Sequence, residues 1–192
     1  MRQNPARRTA LLDAAIEVLA REGSRGLTLR ALDREAGVPT GTASNYFSDR
    51  ADLLGQVLGR VRERLTPDPA ALGATMTAEP SRELVVTLLH QLVGRMHADR
   101  SSHLAMMELR LEATRRPELH EELSRFFGAE LDANIAFHLD AGLPGDRTGI
   151  VLLYLAMLGL LLDELTLPGM LTHHRPDQLV EAMVARLLSE ER

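Results

Sequence analysis

Apolar residues recurring three and four positions apart, between prolines and glycines, fix the fold class of this chain. Leu53, Leu54, Val57, Leu58, Val61 and Leu65 form one such stripe. Leu84, Val85, Leu88, Leu89, Leu92, Val93 and Met96 form another, and Leu179, Val180, Met183, Val184, Leu187 and Leu188 a third. That spacing gathers side chains on one face of an α-helix, whereas a strand would scatter them over both of its faces. Composition points the same way: 36 Leu and 23 Ala stand against 10 Val and 3 Ile. Straight-chain and small side chains lose little rotamer freedom in a helix, and β-branched ones lose more. The expectation is an all-α chain, and an all-β fold is excluded.

Proline and glycine place the breaks. The first helix is predicted from Pro5 to Arg21, ended by Gly23 and Gly26. A short helix covers Leu29 to Ala36, with Thr28 as N-cap. Another covers Thr40 to Tyr46, and Ser48 and Asp49 cap a longer one that reaches Leu65. Pro67, Pro69 and Pro80 bracket a soft linker, helical in part at most. Further helices are predicted from Leu84, over Leu104 to Thr114, from Pro117, from Asp146 to Leu165 and from Pro176. The longest apolar run, Ile150 to Leu162, is 13 residues. A membrane span needs about 20, so the run reads as a buried helix and no membrane partner is expected.

Many chemistries are excluded outright. The chain has no cysteine, which removes disulfides, thiolate metal sites and thiol catalysis. It carries no GxSxG, phosphate loop, HExxH or dinucleotide fingerprint. Glu121-Glu122 and Asp163-Glu164 are adjacent on helices and point about 100° apart, so neither makes a facing acid–base pair. His173-His174 lacks a third ligand. No enzyme activity, cofactor or metal is expected. The N-terminus has no apolar signal core, which fits a cytoplasmic protein.

Charge is uneven along the chain. Residues 1–64 hold 11 Arg against 8 Asp and Glu, while residues 65–192 hold 11 Arg against 19. A basic first third and an acidic remainder suggest that only the first part meets an anion. That part contains Leu27-Thr28 through Tyr46-Phe47. In it, two short helices flank Gly37-Val38-Pro39, where Gly37 can take the positive φ of a tight turn. This is a helix-turn-helix layout, whose second helix enters the DNA major groove. Thr40, Gly41, Thr42, Ser44 and Asn45 make that helix small and polar, as a groove requires. Spacing alone fits an αα-hairpin of an ordinary bundle equally well.

Residues 7–58 resemble the DNA-binding domain of the tetracycline-repressor (TetR) family of bacterial transcriptional regulators. The matching features are Arg21-Glu22-Gly23, Leu27-Thr28, Ala36-Gly37-Val38, Gly41-Thr42, Tyr46-Phe47 and Leu53-Leu54, in that order and spacing. Glu108 through Leu119 is similar to ligand-binding domains of one branch of the family. The resemblance implies a helix-turn-helix domain over 1–48, a connecting helix over 49–66, and an effector-binding and dimerisation domain over 67–192. It implies that Thr40, Gly41, Thr42, Ser44 and Asn45 face the groove, and that Thr28, Tyr46 and Arg50 hold phosphates. Four positions depart from the family pattern. Asp33 stands where a small Ala commonly packs, Pro39 replaces a Ser cap, Thr40 a basic residue and Ser44 a Tyr.

The acidic remainder is expected to dimerise and to bind an effector. A helix that is apolar all round is buried on all sides, so Ile150–Leu162 should pack on its own domain and on a second copy. By resemblance the last two helices form the bundle of a homodimer. Leu88, Leu92, Met96, Met107, Phe126, Phe127 and Tyr154 are the candidate lining for a mostly apolar small molecule, since Met adapts to loosely shaped pockets. His97, His103, His138 and Asp163 are candidates for polar contacts. The reading is a ligand-responsive repressor that binds a palindromic double-stranded DNA operator. The alternative is a helical enzyme or interaction module with a vestigial helix-turn-helix.

Overall fold

The computed structural model describes residues 4–188, and among these it is helical throughout, without strands. Helices α1 (Pro5–Gly26), α2 (Leu29–Glu35) and α3 (Arg50–Leu65) are followed by α4 (Pro69–Thr75), α5 (Arg82–Ala98) and α6 (Arg100–Ala113). The chain continues through α7 (Pro117–Asp140), α8 (Arg147–Thr166) and α9 (Pro176–Leu187). The all-α expectation holds, and the stripes fall on helices where spacing placed them.

Several caps explain the boundaries. Thr28 Oγ1 accepts the Ala31 N–H at 3.1 Å, Asp49 that of Asp52 at 2.9 Å and Asp146 that of Gly149 at 2.7 Å. Each satisfies an N–H with no partner inside its own helix. The soft stretch after Pro67 holds α4, begun by Pro69 and capped by Asp68.

Several boundaries differ from the sequence reading; α6, for one, begins at Arg100 rather than Leu104. α1 runs past Arg21 to Gly26, interrupted only at Gly23, whose φ of 68° is not helical. The segment expected as a helix from Thr40 to Tyr46 is a 3-10 turn over Ala43–Asn45. Gly41 has φ 91°, which breaks an α-helix, and too few residues remain before Phe47 for a second start. The turn closes through i→i+3 bonds, Asn45 N–H to Thr42 O at 3.0 Å and Tyr46 N–H to Ala43 O at 2.9 Å.

The helices group into two compact units. The first comprises residues 1–66 and 99–125 and contains α1, α2, the 3-10 turn, α3 and α6. Its core is built from Leu11, Ala15, Ile16, Val18 and Leu19 of α1, Leu32 of α2, Leu54, Val57 and Leu58 of α3, and Leu109 of α6. In this grouping α3 belongs with the helix-turn-helix, and α6 packs on α1 and α3. The second unit comprises residues 67–98 and 126–192. Its core joins Leu84 and Val85 of α5, Ile135 of α7, Ile150, Leu153, Met157 and Leu160 of α8, and Val180 and Val184 of α9.

α8 is long and apolar enough to cross a membrane by length and composition. Its Ile150, Leu153, Met157 and Leu160 are buried in the second unit's core. It is not buried on all sides within one chain, however: Leu152, Leu155 and Leu162 are 47, 54 and 42% exposed. These sit three and seven positions apart, so they form one bare apolar face.

Candidate nucleic-acid interface and effector-binding residues

Asp33 organises the helix-turn-helix. Its side chain is 2% exposed, and its carboxylate accepts the N–H groups of Gly41 at 2.7 Å and Ala43 at 2.8 Å. Two otherwise orphaned amides of the 3-10 turn are thereby satisfied, and the turn is fastened to α2. The backbone bond from Val38 N–H to Asp33 O, 3.0 Å, closes the intervening turn. Gly37, with φ 64°, supplies the reversal that the sequence suggested.

With its base fixed, the turn presents Thr40, Gly41, Ser44 and Asn45 to solvent, and Thr42 is half-buried. The hydroxyls are oriented by local bonds. Thr42 Oγ1 donates to Pro39 O at 2.5 Å and Ser44 Oγ to Gly41 O at 2.7 Å, while Asn45 Nδ2 donates to Gly41 O at 3.2 Å. Phe47 packs inward. The Tyr46 ring is also largely buried, and the Arg8 guanidinium lies 5.9 Å from its centroid. Arg8 in turn bonds Gln56 of α3.

Arg50, expected at a phosphate, is engaged inside the protein. Its guanidinium donates to Leu27 O at 2.8 Å, Ser24 O at 2.5 Å and Ser24 Oγ at 2.8 Å. These bonds pin the start of α3 to the end of α1. Ser24 is also held by α6: its N–H donates to Glu108 at 3.1 Å and its hydroxyl to Glu112 at 2.8 Å. Arg116 closes on Glu112 at 2.7 Å. The Arg116 bond, then those from Ser24 and the Arg50 charge, hold the Glu112 carboxyl below the usual range despite its burial. A cleft of about 400 Å³ opens beside this cluster, lined by Gly23, Arg25, Glu108, Leu111 and Arg115 among others.

The candidate effector residues divide between the units. Leu88 and Leu92 of α5 are half-buried against the second unit's core, and Met96 is fully buried. Tyr154 of α8 is half-buried. Phe126 and Phe127 of α7 stack at a tilt, 5.1 Å between centroids. Met107 lies on α6, in the first unit. Of the candidate polar groups, His138 closes the α7–α8 turn by bonding Pro144 O at 2.8 Å. His103 bonds Asp99 O within the first unit, and His97 lies 3.8 Å from Glu164. Asp163 of α8 has one buried carboxylate oxygen with no hydrogen-bond partner, and the same is true of His90 Nε2 on α5. No cluster of three potential metal ligands occurs among the described residues.

Comparison with known proteins decides the family. A model described as bacterial regulatory proteins of the tetR family matches residues 11–57. A second, described as the tetracyclin repressor-like C-terminal domain, matches residues 80–190. The chain belongs to the TetR family of bacterial transcriptional regulators. The HTH-type transcriptional regulator BetI of Agrobacterium fabrum is 28% identical over 142 residues, 74% of this chain and 68% of the relative. BetI of Rhizobium meliloti is 29% identical over the same shares. A TetR-family structure from Streptomyces coelicolor A3 superposes with a TM-score of 0.70 at 28% identity, covering 96% of this chain and 99% of that one. The multidrug binding protein EbrR, complexed with ethidium, gives a TM-score of 0.65 at 27% identity, covering 97 and 100%. The family is one of regulators and not of enzymes.

For a TetR-family chain, sequence reasoning missed three things. Asp33 was singled out only as a departure, because its partners lie eight and ten residues away and become neighbours only after the turn closes. The Ser24 cluster was missed because its members are spread from residue 24 to 116. His90 was passed over inside an apolar stripe that otherwise reads as core.

Proposed function

We propose that this TetR-family regulator is a homodimeric repressor, working in the bacterial cytoplasm, that leaves its operator when a small molecule binds. The observation that carries the reading is the turn from Thr40 to Asn45, small, polar, exposed and rigidly based on Asp33. Thr40, Thr42, Ser44 and Asn45 read base edges, and Gly41 lets the backbone approach closely. Thr28, at the N-terminus of α2, and Tyr46 meet phosphates. Arg50 acts at one remove, by fixing the α1–α2 corner on which Thr28 stands.

Dimerisation uses the bare face of α8. Leu152, Leu155 and Leu162 on α8, with half-buried Leu179, Met183 and Leu187 on α9, supply two apolar columns for a second copy. Two copies present two recognition turns to an inverted repeat. The effector enters the second unit among Leu88, Leu92, Met96, Phe126, Phe127 and Tyr154. Its sequence span holds 6 Arg against 13 Asp and Glu, a balance that favours a neutral or cationic compound. The likeness to EbrR, solved with ethidium, supports the same class.

The test is a footprint of the upstream region of the protein's own gene, with and without apolar amines and dyes. Protection of an inverted repeat, lifted by such a compound, is the expected result. Protection of no discrete site, or one indifferent to every compound, overturns the reading.

A further inference from the structure

We infer that Glu108 and Glu112 of α6 are positioning residues for DNA binding: by gripping Ser24 they set the register of α6 on α1, and with it the placement of the recognition turn. The inference rests on the reading of this chain as an operator-binding regulator.

The buried residues of α6 are Ser102, Ala105, Met106, Leu109 and Ala113. Spacings of three and four put them on one face of the helix. Met106 and Leu109, the large ones, stand in its middle. Towards its two ends only Ser102, Ala105 and Ala113 are buried, and side chains that small interlock little, so packing does not by itself choose where those ends rest.

Polar bonds at both ends make that choice. At the first end Asp99 receives a bidentate fork from Arg64 of α3, at 2.8 and 3.0 Å. In the first turn of α6, Ser101 donates to Glu17 of α1 at 2.7 Å. At the far end stand the two carboxylates on Ser24. They lie four residues apart on α6 and take both donors of one residue, the N–H and the hydroxyl. A shift by one helical turn, about 5.4 Å, would break every one of these bonds.

Ser24 is where such a shift would be felt. It follows Gly23, whose φ of 68° interrupts α1, so the segment after it can move separately from the body of the helix. Arg50 ties the same Ser24, and Leu27, to the start of α3. Leu27 leads into Thr28 and α2, which carries Asp33 and the recognition turn. A continuous chain of bonds therefore runs from Glu108 and Glu112 through Ser24 to both flanks of the helix-turn-helix.

The test uses the full-length protein with Glu112→Gln, Glu108→Gln and Ser24→Ala, each alone and paired, at a temperature where circular dichroism shows all variants folded. Affinity is measured for the protected inverted repeat and for random DNA over a salt series. Positioning predicts at least a tenfold loss on the inverted repeat and an unchanged affinity for random DNA. The salt slope stays unchanged, because no phosphate contact is removed. It also predicts that Ser24→Ala with Glu112→Gln costs no more than either alone. Variants with the wild-type ratio of specific to random binding, or fully additive losses, overturn the inference. So does a parallel loss on both DNAs, which marks a merely structural role. If the wild-type protein itself protects no inverted repeat, the operator reading fails first. Amide exchange at Ser24 then reads the grip directly, and exchange no faster in Glu108→Gln than in wild type overturns it.

Discussion

Asp33 Oδ1 accepts the Ala43 N–H at 2.8 Å across ten residues, and both groups are buried. With the companion bond to Gly41, this makes one carboxylate the base of the whole recognition turn. The turn is only three residues of 3-10 structure, so it has little hydrogen bonding of its own to fall back on. Removing the acceptor leaves the buried Ala43 amide unsatisfied, at about 1–3 kcal/mol, and hands that of exposed Gly41 to water. Asp33→Ala is expected to lower the unfolding free energy by about 1–3 kcal/mol and to abolish operator binding. Asp33→Asn keeps one acceptor oxygen and should fall between. Urea denaturation and a gel-shift titration measure the two effects; an Ala variant as stable as wild type would refute the anchoring role.

Arg50 distinguishes a phosphate contact from an internal brace. Its guanidinium donates to Ser24 and Leu27, so Arg50→Ala should weaken operator binding and lower the melting temperature together. A lost phosphate contact would flatten the salt dependence of binding by about 0.9 in log–log slope. The brace predicts no change in slope. Arg50→Lys should fail to rescue, since a point ammonium cannot reproduce the planar fork that reaches three acceptors.

What the sequence made legible is what periodicity and turn chemistry encode. Stripes located the helices, Thr28 announced a cap, and Gly37 announced a reversal, because each signal is carried by residues within a few positions of one another. The candidate DNA-facing residues were legible as polarity on a short segment, but its 3-10 form was not, since it depends on the positive φ of Gly41. Partners far apart in sequence stayed hidden: Asp33 with Ala43, Arg50 with Ser24, Glu112 with Ser24. The stripe of α6 shows that it is a helix with one buried face. It does not show that α1 and α3, rather than the later helices, cover that face.

Acid should loosen α6 from α1 and α3. Glu112 is held below its ordinary value by Arg116 first, then by Ser24 and Arg50, against the opposing effect of burial. Burial pushes the Asp99 carboxyl up, but bonds from Arg64 and Ser102 outweigh it and the net shift is downward. For a carboxyl whose folded value is depressed, the stabilisation is fully present above the unfolded value. It is lost as pH falls through the folded value. Stability should therefore be flat in this respect above about pH 4.5 and decline below it. Melting temperatures from pH 3 to 7 for wild type, Glu112→Gln and Asp99→Asn check this. The variants should start lower and decline less steeply, and parallel curves would dissociate the acid loss from these two groups.

The bare face of α8 gives the most direct test of assembly. Leu155 is 54% exposed in a single chain, so replacing it removes little core, and surface changes of this kind usually shift stability by less than about 0.5 kcal/mol. A charge there would be buried without a partner only if a second copy covers it, at a cost of several kcal/mol per ion. The two copies would meet it twice, once from each side of the two-fold axis. Leu155→Arg is accordingly expected to convert the protein from dimer to monomer at micromolar concentration in sedimentation velocity, with an unchanged helical spectrum. Operator affinity should fall with it, because each half-site is then bound alone and the gain from linked binding disappears. Leu139→Arg, on α7 and 45% exposed, places the same charge on a different surface and should leave the dimer intact. A Leu155→Arg protein that still sediments as a dimer would move the interface to another face, and one in which Leu139→Arg breaks the dimer would name α7 as that face.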